Sequence, residues 1–393
     1  MKELLTKKAF HLFTVVFILA AIAVLSACGN AEVSSTSGKN KTDNEKKSIT
    51  VKEDWAGKAQ WDETVAAAKK EGKLVISGPS SEEWRKLLMT FHEDYPDIEM
   101  EITPGNSRDF WPRVEQERKV GQYLWDFRVG GADTNVWSAK DDGFLEQIRP
   151  LLVLPEVTDG SKWLGGMDGI FADNDKKYVV AYLGNISYPA FVNRDAIPES
   201  ELKTIKDLTD PKWKGKIVMS DPRGGAGQIN LGFLLQAYGE KFVNDLMFNQ
   251  DLLITKDVRQ LTESVVRENR PIGFGLRVVD LLPFNKQGLG KNIQPLAVGD
   301  ALPMSPSSGG IQYLKNAPHP NASKVFINWL LTAKVQQEIA NVTKWNSRRL
   351  DVKYSDPEAA IKPEEISKVI YVQDESSLPY IQKIADMTTK LKY

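Results

Sequence analysis

Between residues 73 and 103 the chain reads KLVISG, then a polar-apolar run beginning SSEEWRKLLM, then DIEMEIT, and this order constrains the fold more than any other feature. KLVISG is a short buried strand, and Ser80-Ser81-Glu82-Glu83 offers a capping box ahead of a helix. Trp84, Leu87, Leu88, Phe91 and Tyr95 recur on one face of that helix, Pro96 and Asp97 stop it, and residues 98–103 alternate as a second strand. Two strands joined through a helix need a crossover connection, which makes them parallel. The pattern repeats: GNSRDFWPRVEQERKVG supplies the next helix, residues 125–129 a third strand, and Gly130-Gly131-Ala132-Asp133 the loop behind it. Open sheets of this kind receive ligands beyond the carboxyl ends of their strands, which directs attention to loops 77–81, 105–107 and 130–133.

A second series follows. Residues 178–183 and 190–193 are apolar, 216–219 read as a strand, 228–238 as a helix, 261–267 as another helix and 271–275 as another strand. The last third turns helical: Asn321 is placed to cap a helix whose Val325, Phe326, Trp329, Leu330 and Ile339 make one apolar stripe. No repeat of solenoid period is present. Two α/β lobes are expected.

The N-terminus reads MKELLTKKAFHLFTVVFILAAIAVLSACGN, with Lys2, Lys7 and Lys8 ahead of an apolar run over residues 13–25. That run is shorter than the ~20 residues of a membrane-spanning helix and ends in small residues, so residues 1–27 read as a cleaved secretory signal. Cys28 is the one cysteine in 393 residues, which excludes an intramolecular disulfide and a cysteine-clustered metal site. Leu25-Ser26-Ala27-Cys28 resembles the lipobox of bacterial lipoproteins, in which the cysteine is diacylated and becomes the new N-terminus. Two acyl chains suffice for stable anchoring where one does not. Residues 28–48 carry few large apolar side chains and read as a flexible tether. Cleavage takes Lys2, Glu3, Lys7 and Lys8 away and moves the formal charge from −1 to −3, so no basic excess points to nucleic acid.

Three segments together resemble the extracellular solute-binding proteins of ABC importers, in the branch that includes ferric-iron, phosphonate, sugar-phosphate and thiamine receptors. KDLTDPKWKGKI, residues 206–217, is similar to a segment that precedes a second-lobe strand in that branch; APHPNASKVFINWLLTAKVQQEIAN, residues 317–341, to its late helix; and YPAFVNRDAIP, residues 188–198, to its entry into the second lobe. The resemblance implies a two-lobed periplasmic binding protein type 2 fold, each lobe a mixed, mostly parallel sheet flanked by helices, joined by crossover strands near 181–189 and 294–303. It places residues 49–185 plus 300–393 in the first lobe and 186–299 in the second, with solute enclosed by hinge closure. It implies an ABC permease as partner, the extracytoplasmic face of the cell membrane as location, a monomer, and no cofactor.

SDPRGGAGQ, residues 220–228, follows one predicted strand and precedes a helix, so its amides and Arg223 make a site for negative charge beside Gly224 and Gly225. Arg277 stands past another strand end of the same lobe. From the first lobe Ser80, Ser81, Asn106, Ser107 and Asp133 occupy strand-end loops; Ser307 and Ser308 form a further polar loop, and Tyr188 sits at the crossover. Arg223 and Arg277 together favour an anionic solute: a phosphonate, phosphate ester or carboxylate. Ferric receptors of the branch commonly use adjacent tyrosines, whereas Tyr182 and Tyr188 stand six apart, which disfavours iron.

Competing readings are weaker on detail. A phosphoester-processing enzyme would use the same glycine-rich loop, but the segment lacks the G-x-x-x-x-G-K-[ST] spacing, a G-x-S-x-G elbow is absent, and His11, His92 and His319 are not at metal-ligand spacing. A solute sensor that partners a membrane kinase stays open beside transport.

Overall fold

KLVISG forms strand β1 (Lys73–Gly78). A computed structural model describes residues 54–389 and residue 391; the leader, Cys28 and the tether expected at 28–48 lie outside the described residues. The later strands are β2 (Glu99–Pro104), β3 (Phe127–Val129), β4 (Val179–Ala181), β5 (Asn185–Ile186), β6 (Ala190–Asn193), β7 (Ile217–Ser220), β8 (Leu253–Thr255), β9 (Ile272–Phe274), β10 (Ile293–Pro295), β11 (Leu302–Ser305), β12 (Gly310–Tyr313) and β13 (Val369–Tyr371).

They build two five-stranded sheets and a smaller one. In the first, ordered β2-β1-β3-β12-β4, β1 runs parallel to β2 and β3, while β12 is antiparallel to β3 and β4. In the second, ordered β10-β6-β9-β7-β8, β7 runs parallel to β8 and β9, while β6 is antiparallel to β9 and β10. Both sheets are mixed, with parallel and antiparallel pairings in equal number where a parallel majority was expected. The extra antiparallel pairs arise where the chain enters and leaves each lobe. The crossover strands β5 and β11 lie side by side, Met304 opposite Ile186, and β13 flanks β11.

Each five-stranded sheet has its own core. Against the first pack Phe91, Phe127, Phe326 and Trp329; against the second, Trp213, Leu231, Leu234 and Phe274, all fully or almost fully buried. The helix predicted over 228–238 ends where Gly239 turns to φ 82, a left-handed conformation that glycine adopts without steric cost; a second helical stretch then continues to Asn249.

Several local expectations change. Ser81, not Ser80, caps the helix Glu82–Met89, accepting from Trp84 N at 3.3 Å, so Glu83 falls one position short of a capping box and instead accepts from Ser81 Oγ. Asn321 does not cap the helix Pro320–Leu330. The carboxylate of Glu71, on the helix Lys58–Glu71, accepts from the backbone N–H of Asn321 and of Ala322. The predicted stripe runs over two helices, broken at Thr332, which caps the second. The C-terminal helix Leu378–Thr388, expected with the first lobe, packs on the helix Gly225–Asn249: Ile384 and Met387 join the second core, and Gln228 Nε2 donates to Ile381 O. Its apolar residues match the second lobe's open face, a pairing that local sequence does not specify.

Candidate functional site

The carboxyl ends of β1, β2 and β3 lie side by side, and the loops behind them meet. Ser107 Oγ donates to Asp133 Oδ1 at 2.9 Å. A Cβ on Gly105 would stand 3.2 Å from Ser77 Oγ, and one on Gly131 would stand 2.1 Å from the backbone oxygen of Ser307, so these chains touch closely. Ser305 Oγ in turn donates to Gln373 Oε1 and accepts from Ser307 N, tying the 305–309 loop to the strand-end cluster. Of the expected first-lobe residues, Asn106, Ser107, Asp133 and Ser307 are thus placed in or against this cluster. Ser80 and Ser81 are exposed at the end of β1, with Ser81 engaged as a cap; Ser308 is half-buried beside Ser307.

Asn106 and Asp133 are helix caps in their own right. Asn106 Oδ1 accepts from Asp109 N, and Asp133 Oδ1 accepts from Asn135 N and Val136 N. Asp133→Ala removes these acceptors and the partner of Ser107 together, and is expected to cost about 1–2 kcal/mol in urea unfolding. A loss within error of zero would mean that the cap is not needed to hold the loop.

The second lobe presents a matching cluster. Gly275, at φ +87, brings its backbone onto Ser220, where a Cβ would meet the Ser220 Cβ at 2.8 Å, and its N–H donates to Pro189 O. The ends of β7 and β9 therefore join the crossover that carries Tyr188, which is half-buried against the second core; burial pushes its phenol pKa up. Within SDPRGGAGQ the glycines differ in role. Gly225 takes φ +56; Gly227 packs on the backbone oxygens of Ser220 and Asp221, leaving no room for a Cβ; Gly224 has open space around it.

The charges expected to draw an anion are already paired. Arg223 donates from Nε and Nη2 to both carboxylate oxygens of Asp221, at 2.6–3.1 Å, and its backbone N–H donates to Asp221 Oδ1. Arg277 makes the same two-pronged contact with Asp280, whose hydrogen bond holds the guanidinium pKa up. Sequence reading fixed the positions of both arginines but not their carboxylate partners, two residues before Arg223 and three after Arg277.

Three residues that sequence reading missed lie under the first-lobe loops: Arg128, Gln312 and Gln373. Arg128, on β3, is only 5% exposed, and burial pushes its guanidinium pKa down to about 10. Its Nη1 donates to Gln312 Oε1 and Gly131 O. An arginine inside a short apolar strand immediately before two glycines was the available signal. The tyrosines behave differently from one another: Tyr182 is fully buried in the first core, which withdraws it from any cleft. Among the described residues no group of three or more His, Cys, Asp or Glu is arranged to hold a metal ion. His319 instead pairs with buried Asp126, Nδ1 to Oδ2 2.8 Å, at the opposite end of β3 from the loop cluster.

Residues 86–268 match the family model of bacterial extracellular solute-binding proteins. An uncharacterized protein from Haemophilus influenzae is 28% identical over 284 residues, covering 70% of this chain and 77% of its own. Among solved structures, a Trichodesmium protein in complex with iron and citrate superposes with a TM-score of 0.63 at 16% identity, over 80% of this chain and 99% of the other. The periplasmic binding protein of Actinobacillus pleuropneumoniae with fructose-6-phosphate bound superposes with a TM-score of 0.53 at 20% identity, over 81% and 98%. The fold is the two-lobed one of type 2 periplasmic binding proteins. No helix among the described residues is long and apolar enough to cross a membrane.

Proposed function

We propose, for a chain that is a bacterial extracellular solute-binding protein of the ABC-importer type rather than an enzyme, that it captures a small anionic solute by closing its two lobes and hands it to a membrane permease. The solute class is a phosphonate, a phosphate ester or a carboxylate. The observation that carries this reading is the pair of strand-end loop clusters, one per lobe, tied together by Ser107 Oγ on Asp133 in the first and by Gly275 N–H on Pro189 O in the second. Of the ligands in the two similar structures, iron and citrate in one and fructose-6-phosphate in the other, citrate and fructose-6-phosphate are oxyanions. Ser80, Ser81, Asn106, Ser107, Asp133, Ser307 and Ser308 face Tyr188, Arg223, Gly224, Gly225 and Arg277 across the cleft in this reading. A diacylated Cys28 holds the monomeric receptor to the extracytoplasmic face of the membrane, and residues 28–48 give it reach.

Closure is favoured by contacts that exist only when a solute bridges the lobes. Inorganic phosphate, methylphosphonate, citrate and fructose-6-phosphate form the test panel. At ~100 times its Kd, a bound solute should stabilise the protein by ~2.7 kcal/mol, and solution scattering should report a smaller radius of gyration. A melting temperature that none of the four moves would remove the anion assignment.

A further inference from the structure

Each of the three carbonyls that follow β3 accepts a hydrogen bond from a side chain. Gly130 O accepts from Gln312 Nε2 at 3.1 Å, Gly131 O from Arg128 Nη1 at 3.1 Å, and Ala132 O from Gln373 Nε2 at 3.2 Å. Arg128 and Gln312 are buried, and Gln373 is half-buried. In a trans peptide the C=O of one residue and the N–H of the next point in opposite directions. The amides of Gly131, Ala132 and Asp133 therefore point away from these side-chain donors, and none of the three has an acceptor among the described residues. Successive outward amides of this kind form a concave donor set for anions.

Beneath them lies a charge without a counterion. Arg128 has no carboxylate within 4 Å among the described residues, and its buried Nε has no acceptor. A Cβ on Gly130 would stand 2.9 Å from both of its terminal nitrogens, so the guanidinium presses directly against the loop. Asp133 is the one carboxylate whose charge it feels, and Oδ1 of that group is already engaged by Ser107 Oγ, Asn135 N and Val136 N. Arg223 and Arg277, by contrast, each hold a carboxylate in two-pronged contact. Burying an unpaired cation is costly unless something else supplies the negative charge.

Resting on the anionic-solute reading above, we infer that the solute's phosphate, phosphonate or carboxylate group is received by the first lobe, on the amides of residues 131–133, with Arg128 as the positioning residue that sets the charge preference. The second-lobe arginines then serve lobe closure or the rest of the solute.

Calorimetric titration of the full-length protein with inorganic phosphate, methylphosphonate and citrate tests this, using Arg128→Gln and Arg128→Lys. A probe that binds the wild type should bind Arg128→Gln about tenfold or more weakly, and Arg128→Lys within about fivefold, since a charge-assisted donor is lost in the first and kept in the second. Equal weakening of the Gln and Lys variants, or undiminished binding by the Gln variant, overturns the inference and leaves the anionic-solute reading intact. Failure of the wild type to bind every probe removes both. Should Arg128→Gln not fold, hydrogen exchange on the wild type decides: protection by the probe at residues 131–133 supports the assignment, and protection confined to 223–228 or 276–280 overturns it.

Discussion

Phe326→Ala is expected to destabilise the protein by about 3–5 kcal/mol, the range for removing a fully buried phenylalanine ring. Phe326 has no exposed surface, and its ring lies 5.4 Å from Phe91, 5.7 Å from Phe127 and 5.6 Å from Trp329, centroid to centroid. It therefore joins the short helix Phe91–Asp94, the strand β3 and the late helix Pro320–Leu330 in one contact. Those elements come from distant parts of the chain, and none of them can fill the space alone. Trp329 is held in place by its own bond, Nε1 to Asp94 Oδ2 at 2.8 Å, so it is poorly free to relax into the cavity. Urea unfolding should show a lower midpoint with an unchanged slope. Phe326→Leu, which keeps most of the volume, should lose less than about 1.5 kcal/mol. A loss below ~1 kcal/mol for the alanine variant would mean that this aromatic cluster is not close-packed.

Asp374 should make stability fall as pH rises from about 4 to about 7. The residue follows β13 near the crossover strands, is 4% exposed, and has an Oδ1 with no hydrogen-bond partner. Burial pushes its carboxyl pKa up to about 7, against the opposing attraction of Arg348 and Lys176 and with a small added push from Asp173. An aspartate in the unfolded chain titrates near 3.9. The folded state thus holds this proton more tightly, and the advantage is complete below the unfolded value and lost once the pH passes the folded one. Three units of difference correspond to on the order of 4 kcal/mol. Asp374→Asn carries no titrating proton, so the difference in urea stability between wild type and variant should change by several kcal/mol between pH 4 and pH 8 and level off above that. A difference that is flat across the range would show that the carboxyl is ionised in the fold despite its burial.

Of the protein's organisation, the parallel strands were the most legible. KLVISG and KIVM, residues 216–219, were read within a residue of β1 and β7, because a short apolar run bounded by glycine, proline or serine has few other ways to bury itself. The helix Lys58–Glu71 was missed for the converse reason: only Trp61, Thr64 and Ala68 are buried in it, too few to leave an apolar stripe in the sequence. Strands of two or three residues, such as β5 and β10, carry no periodicity at all and exist because a neighbouring strand is there to bond them.

The candidate site divides along the same line. Loops at the ends of β1, β2, β3, β7 and β9 were identified because strand direction fixes where such loops lie. Which of their charges is compensated was decided by side-chain partners: Asp221 and Asp280 turn back on Arg223 and Arg277, while Arg128 meets only amides and carbonyls.

An α/β chain of two lobes, the order of its strands and helices, and the glycines that the turns require can all be read locally, since they follow from periodicity and backbone sterics. Only the tertiary structure decided that the C-terminal helix Leu378–Thr388 returns to the second lobe, that Gln312 and Gln373 reach across from distant strands to turn the 130–132 carbonyls inward, and that Arg128 is the buried arginine beneath them. Those outcomes depend on contacts between residues up to 241 positions apart, and a hydrogen bond or burial made at such separation leaves no pattern in the neighbouring sequence.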